Sequence, residues 1–486
     1  MELPKRIPSA WVSFAVLGVL MVLIAINVTI YGVKSLNGSV QVILLVATGI
    51  CCAVSMMCYG IKFKTLEDAM LTNIRGAGSV VVMLLLIGAL SSIWMLSGVV
   101  PSLIYYGLKI INPSVFLVTA CIVSAVVSIS TGSSWTTCAT IGVALMGVGN
   151  ALGFHEGWTA GAVISGAYFG DKLSPLSDTT NMAAGTAGTD IFVHIRYMLI
   201  TTVPSILIAC LVYLLVGFFA KSNTITDIAG FTSALKSTYN INVWLFIVPI
   251  VTFLMIVKRI STLVTLFIAI LMGIIATLVF QPELCRMVAS ESNNMFVTYF
   301  SGIMNTLYGA TAIETGCEAL NPLVATRGMS GMLNTVWLII CSMCFGGAMQ
   351  GSGMLTSISN VIIRCMRSTV STVGATLSTG IIFNTVTADH VISIVLSGNM
   401  YKSVYKDQGY EPRLLSRSLE DSATVTSVLI PWCSCSMAQS TVLNVAAITF
   451  APYCIFNWLS PIVSLIIAAT GYKIKRTEPK MIATEQ

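Results

Sequence analysis

The chain has 486 residues, 56% hydrophobic and only 9% charged, with 25 Lys and Arg against 19 Asp and Glu and a mean hydropathy of +0.89. A soluble domain carries about a quarter charged residues, so this composition excludes a water-facing surface over most of the molecule and makes membrane lipid its main partner. The net charge of +6 sits in short loops between apolar runs and gives no support to a nucleic-acid partner.

Roughly 20 apolar residues cross the hydrocarbon core as a helix. Runs of that kind, some of them interrupted, occur at Trp11–Val33, Ser39–Ile61, Ser79–Val100, Ser114–Ile129, Tyr197–Ala220, Val243–Val257, Ser261–Phe280, Met329–Met349, Val370–Thr387, Val425–Phe450 and Cys454–Tyr472. They predict an all-α polytopic membrane protein with about 11 spans plus re-entrant or broken helices. The first run is too long for the apolar core of a secretory signal and no Ala-x-Ala site follows it, so it reads as a retained span. Lys5 and Arg6 precede span one, Lys62, Lys64 and Arg75 follow span two, and Lys473, Lys475, Arg476 and Lys480 follow the last. The intervening loops offer only Lys34 and Lys109, so both termini read as cytoplasmic. The 14 cysteines fall mostly inside apolar runs, and none of their spacings reads as a zinc site or a disulfide framework.

An internal repeat organises the chain. Ser133–Gly147 matches Asn384–Gly398 at an offset of 251 residues (398 − 147), and Asp171 meets Asp421 at 250 (421 − 171). Arg75-Gly76 and Arg327-Gly328 each precede an apolar run ending in Ser-Gly. Loop charges differ in sign of placement between the copies, the pattern of the inverted repeats that build secondary transporters. The expected units are an N-terminal span at 1–39, repeat one at 40–220, a connecting segment with one or two helices at 221–290, repeat two at 291–472 and a cytoplasmic tail at 473–486.

Each repeat contains two polar interruptions: Ser128–Thr140 and Gly170–Asn181 in the first, Asn384–His390 and Glu420–Ser436 in the second. Irregular backbone at membrane depth must line protein or water. The richest stretch, GDKLSPLSDTTN, holds Asp171, Lys172 and Asp178 around Pro175, which denies a continuous helix one hydrogen bond. Hydroxyls of Ser174, Ser177, Thr179 and Thr180, the Asn181 amide and freed carbonyls are hard oxygen ligands suited to a small cation. A carboxylate in such a site can take either a proton or a cation, which is enough to couple the two. Asp171 and Asp421 are the leading carriers and the candidate metal-ion ligands, followed by Asp389 and Asp178. An Asp-Lys neighbour pair such as Asp171/Lys172 also fits a helix-end salt bridge. His390 fits a proton carrier or a packing residue equally well. Glu314, Glu318, His155 and His194 read as loop residues, and the 24 methionines as packing.

At these residues the chain resembles a known family. GAYFGDKLSPLSDTTNMA (Gly166–Ala183) is similar to the signature of NhaC-type sodium/proton antiporters, whose relatives include a malate/lactate exchanger coupled to sodium and protons. The likeness continues through STGSSWTTCATIG (Ser130–Gly142), TADHVISIVL (Thr387–Leu396) and SLEDSATVTSVLIPW (Ser418–Trp432). The resemblance implies a wider ion-transporter superfamily with a scaffold domain, a mobile transport domain, two re-entrant hairpins, homodimers and an elevator-like motion. It implies that Ser133, Ser134, Thr136, Asp171, Ser174, Asp178, Thr179 and Asn181 line one half-site. Asn384, Thr385, Thr387, Asp389, Asp421, Thr424 and Thr426 would line the other. Two positions depart from the family pattern: Cys433-Ser434-Cys435 follows Pro431-Trp432 where an asparagine is usual, and His390 stands in place of a glutamine.

Sodium/proton antiport by alternating access is the favoured function, with coupled exchange or symport of a small organic solute such as a carboxylate or amino acid as the alternative. Paired interrupted helices across an inverted repeat favour a carrier over a passive channel. In both, Na+ and H+ are transported or coupling ions and no cofactor is required. His-Glu-x-x-His, Gly-x-Ser-x-Gly and P-loop motifs are all missing, which argues against an enzyme or an in-chain ATP drive.

Overall fold

A computed structural model describes residues 7–32, 35, 37–110, 112–219, 228–258, 260–290, 292–317 and 320–476. Lys5, Arg6, Lys34, Glu318 and Lys480, on which parts of the orientation and loop readings rest, lie outside the described residues. Within them the secondary structure is helical, joined by turns and short extended segments, and the only β pairing among the described residues is two isolated bridges, Thr311 with Thr326 and Tyr410 with Arg476.

Among the described residues, seven helices are long and apolar enough to span a membrane: Ala10–Tyr31, Ser39–Tyr59, Phe63–Leu96, Pro113–Thr131, Ile191–Phe219, Thr262–Phe280 and Met329–Gly351. Two bent pairs raise this to nine if each is one span: Gly230–Thr238 with Val243–Val257, bent by 86°, and Ala447–Tyr453 with Ile455–Thr470, bent by 51°. Large apolar side chains on their outer faces are exposed (Leu207 63%, Phe267 54%), as a lipid-facing perimeter requires. The apolar run Val425–Phe450 is not a span. It divides into a short 3-10 turn at Ser427–Leu429, a helix at Ser434–Leu443 and the start of the next bent pair. Ser427, Cys433, Ser434, Cys435 and Ser436 are buried against protein rather than lipid, so hydropathy alone misplaces it.

The tightest helix contact fixes the position of the second polar interruption. Helix Glu156–Leu173 lies against Phe116–Thr131 through Gly166 and Gly170. A Cβ at Gly166 would stand 2.0 Å from the Cys121 carbonyl oxygen, and one at Gly170 2.4 Å from that of Ala125. Glycines four residues apart let two backbones approach in this way inside a membrane. Ser128 seals the contact by donating to the Ala167 carbonyl at 2.5 Å.

The first and third interruptions share one local structure. Helix Phe116–Thr131 ends on Gly132 in the left-handed region, and Ser133 caps the following turn. Helix Thr369–Thr387 ends on Ala388 (φ 53°), and Asp389 caps helix His390–Asp407. Thr131 bridges to Thr137 at 3.2 Å and accepts from the Ser133 N–H at 3.3 Å. Thr387 likewise bridges to Ser393 at 3.3 Å and accepts from the Asp389 N–H at 3.4 Å. The offset is 256 residues for each pair (387 − 131, 389 − 133, 393 − 137), and it recurs at Pro175/Pro431 and at the left-handed caps Gly188/Asn444. The alignment at 250–251 is therefore out of register. Ser427, not Asp421, stands where Asp171 stands (171 + 256).

Candidate ion-binding site

The first two interruptions meet each other. Gly132 packs against Leu176 and Ser177 so closely that a Cβ there would reach 2.6 Å from Leu176 Cβ. This contact brings Ser134, the first residue of its helix, to Asp171, whose Oδ2 accepts from the Ser134 N–H at 3.0 Å. Asp171 is 7% exposed and faces the positive end of that helix. Several predicted ligands are instead occupied in shaping the turn. Ser174 Oγ accepts from the Leu176 N–H at 3.3 Å, and Thr179 shares a 2.9 Å bond with the Ser177 hydroxyl. Asn181 donates to the carbonyls of Pro175 and Ser177. Thr136 donates to the Ser133 hydroxyl at 3.1 Å. Asp178 is exposed on the first turn of helix Asp178–Ala187, away from the buried group.

The last two interruptions also meet. The Ser434 N–H donates to the Ala388 carbonyl at 2.8 Å, its hydroxyl to Asp389 Oδ2 at 3.3 Å, and Trp432 Nε1 to the Thr385 carbonyl at 2.8 Å. Asp389 Oδ1 accepts from the Ile392 N–H at 2.9 Å, so this carboxylate is a helix cap as well as a buried charge. Thr385 and Thr387 return their hydroxyls to their own helix, at Ile381 and Phe383. Asn384 donates to the Ala423 carbonyl at 2.7 Å and to Thr426 at 3.3 Å, leaving its Oδ1 without a partner. His390 Nδ1 lies 3.0 Å from Cys435 Sγ, so the two departures from the family pattern touch each other.

Asp421 does not share a cation position with Asp171. Its Oδ1 takes the Lys172 ammonium, together with the hydroxyls of Thr201 (3.1 Å) and Ser460 (3.0 Å). Arg417 Nε stands 3.8 Å from its other oxygen. Two buried cations thus already neutralise Asp421, which corrects its expected place as a free cation ligand. Lys172 correspondingly pairs across the molecule rather than with its neighbour Asp171. His194 is a second correction: it is fully buried in helix Ile191–Phe219, close to Lys172 and Asp421, rather than in a loop. His155 does cap a helix start, accepting from the Gly157 N–H at 3.1 Å, and Glu314 is exposed.

Glu420 is the residue that sequence reasoning passed over. It begins a π-helical turn, Glu420–Thr424, and is fully buried. Neither of its carboxylate oxygens, nor the Thr424 hydroxyl beside it, has a hydrogen-bond partner among the described residues. Lys172, Asp171 and His390 set the field at this carboxylate. A second π turn, Cys138–Gly142, follows Ser134 on the other side of the site, and such turns recur at functional positions. All buried charges among the described residues belong to this region. Asp171, Asp389, Glu420 and Asp421 are four carboxylates, set against the two cations Lys172 and Arg417. No cluster of three or more His, Cys, Asp or Glu side chains able to hold a metal occurs among the described residues. A bound ion would instead draw on one or two carboxylates with hydroxyl and amide oxygens.

A family model described as the Na+/H+ antiporter family matches residues 166–472, well over half of the chain and all of the site from Asp171 onward. The chain belongs to the Na+/H+ antiporter family. It is 34% identical over 418 residues, 86% of this chain and 87% of the relative, to the Na+/H+ antiporter NhaC of Alkalihalophilus pseudofirmus. It is 30% identical over 487 residues, 99% of each chain, to the Malate-2H+/Na+-lactate antiporter of Bacillus subtilis. It is 28% identical over 485 residues, 98% and 95% of the two chains, to the Arginine/ornithine antiporter ArcD of Halobacterium salinarum. Membership makes this chain a multi-pass membrane transporter and not an enzyme.

Proposed function

We propose that the protein exchanges Na+ for H+ across the cytoplasmic membrane. The observation that carries this reading is the charge imbalance of the site: four buried carboxylates face two buried cations. An unpaired ionised carboxylate in a low-dielectric interior costs several kcal/mol, so the imbalance favours the uptake of protons or small cations. Lys172 and Arg417 offset Asp421. Of the other three, among the described residues, Asp389 accepts from both the Ile392 N–H and the Ser434 hydroxyl, Asp171 only from the Ser134 N–H, and Glu420 from nothing, so Asp171 and Glu420 are the groups that either ion would neutralise. One site that holds H+ or Na+, but not both, couples their opposed movements.

Alternating access between two repeats, at 40–220 and 291–472, is the mechanism that fits this reading. The matched breaks at a spacing of 256 support duplication, and their inverted orientation is part of the proposal. Residues 1–39, 221–290 and 473–486 flank and connect the repeats, with both termini cytoplasmic and a homodimer as the assembly. A second reading, coupled exchange of a small organic solute, is favoured by one observation. The relatives named for malate and lactate and for arginine and ornithine align along 98–99% of this chain, against 86% for NhaC.

The test is a sodium jump on proteoliposomes carrying an internal pH dye. Sodium-driven proton movement, abolished by Asp171→Asn, is the expected result. Well-folded protein that gives no proton movement under any sodium gradient would overturn the reading.

A further inference from the structure

Two cavities adjoin at Arg327, and none of the buried charged side chains described above lines either of them. One, of about 230 Å³, includes Asn334, Thr335 and Ser440 in its wall. The other, of about 210 Å³, includes Ser91, Asn150 and Glu156. Arg327, Thr441, Asn444 and Val445 line both. Helix Ser434–Leu443 starts at the ion site and ends here on Asn444, so a single short helix of ten residues joins the two regions. That is about 15 Å of helix.

Amides and hydroxyls dominate the first cavity, whereas the second, which holds both Arg327 and Glu156, mixes Ser91, Asn150 and Thr326 with apolar side chains such as Met146 and Leu443. Arg327 and Glu156 face the same cavity, yet neither takes part in any of the ion pairs among the described residues. Opposite charges left unpaired on the wall of one cavity are complementary to a ligand that carries both signs. A path for a bare cation would not hold an unpaired guanidinium in the wall common to its two chambers, because like charge repels it. A guanidinium instead offers a planar fork that matches a carboxylate, and Glu156 can accept from an ammonium group. The volumes suit a small solute, each below the roughly 300–1,000 Å³ of drug-sized sites.

From this juxtaposition we infer that the Arg327 cavities form a recognition site for a small zwitterion of the amino-acid type, with its carboxylate on Arg327 and its ammonium toward Glu156. The inference goes beyond the ion exchange proposed above and stands apart from it, because its test reads binding rather than transport.

Detergent-solubilised full-length protein is titrated with L-alanine and L-lysine by calorimetry. Lactate replaces the amine of alanine with a hydroxyl, and cadaverine is lysine without its carboxylate. At least one amino acid is expected to bind saturably, with its analogue that carries charge of one sign only weaker by about tenfold or more. Arg327→Gln and Glu156→Gln are each expected to weaken it comparably, and Arg327→Lys to fall between Gln and the native residue. Arg327 and Glu156 are both exposed, so both Gln variants are expected to fold, and each remains informative if the other does not. Binding of neither amino acid, equal binding of an analogue, or undiminished binding by Glu156→Gln overturns the inference.

Discussion

Replacing Lys172 by Met removes the ammonium from a pair whose members are both fully buried. Breaking a buried pair by deleting one partner costs about 3–5 kcal/mol, because the remaining charge stays desolvated. In Lys172→Met, Asp421 keeps the Thr201 and Ser460 hydroxyls at 3.1 and 3.0 Å and Arg417 at 3.8 Å, which places the loss near the lower limit, about 3 kcal/mol. Asp421→Asn is worse. It strands Lys172 and Arg417 without their shared anion, and a loss of about 4–5 kcal/mol is expected. In the double variant Lys172→Met/Asp421→Asn no charge of the pair is left uncompensated except that of Arg417. Its loss should therefore fall about 2–3 kcal/mol short of the sum of the singles. Denaturant titrations of the purified protein, followed by tryptophan fluorescence and compared at equal slope, measure all three. Additive losses, or single losses below about 1 kcal/mol, would refute the placement of Asp421 as a charge-balancing residue.

Gly166→Ala should sharply reduce the yield of monodisperse protein, since its methyl group would stand 2.0 Å from the Cys121 carbonyl oxygen; Gly185→Ala, with nothing within 4 Å, is the control in size-exclusion chromatography. Glu420→Gln removes the charge of the carboxylate that has neither oxygen hydrogen-bonded, without changing the shape of the π turn. It should leave the protein at least as stable as the native form and raise the sodium concentration for half-maximal exchange by about tenfold, read in the sodium-jump assay. An unchanged sodium dependence would remove Glu420 from the site.

Composition and run length make the membrane fold legible, because they report directly on the solvent that the surface must meet. The site was legible where local chemistry is strong. Asp171 stands at a proline-containing break, and the two glycines that dock its helix lie in the same motif, Gly166–Ala183. What escaped depends on helical phase and long-range contact. Glu420 and Asp421 are neighbours in SLEDS, and only the turn of the helix decides which meets Lys172 and which is left unpaired. The π turn shifts that phase by a residue with no mark in the sequence. The repeat alignment slipped by five or six residues because similar polar and apolar residues recur at helical spacing on either side of the true offset of 256, and the slip paired Asp171 with Asp421 in place of Ser427. His194 follows Asp190, which accepts from the Phe192 and Val193 N–H groups and so marks a helix start; that capping signal, with the apolar residues beyond it, was the available clue that His194 lies inside a helix.

The central claim is that one buried site takes a proton or a sodium ion and not both. It is tested most directly by adding Na+ to purified protein in weakly buffered detergent solution and measuring the protons released. Release that saturates with sodium is predicted, with a half-saturating concentration that rises as pH falls, because protons and sodium compete for the same carboxylates. Asp171→Asn should lose most of the release. Sodium binding without proton release, or release that persists undiminished in folded Asp171→Asn, would contradict the account.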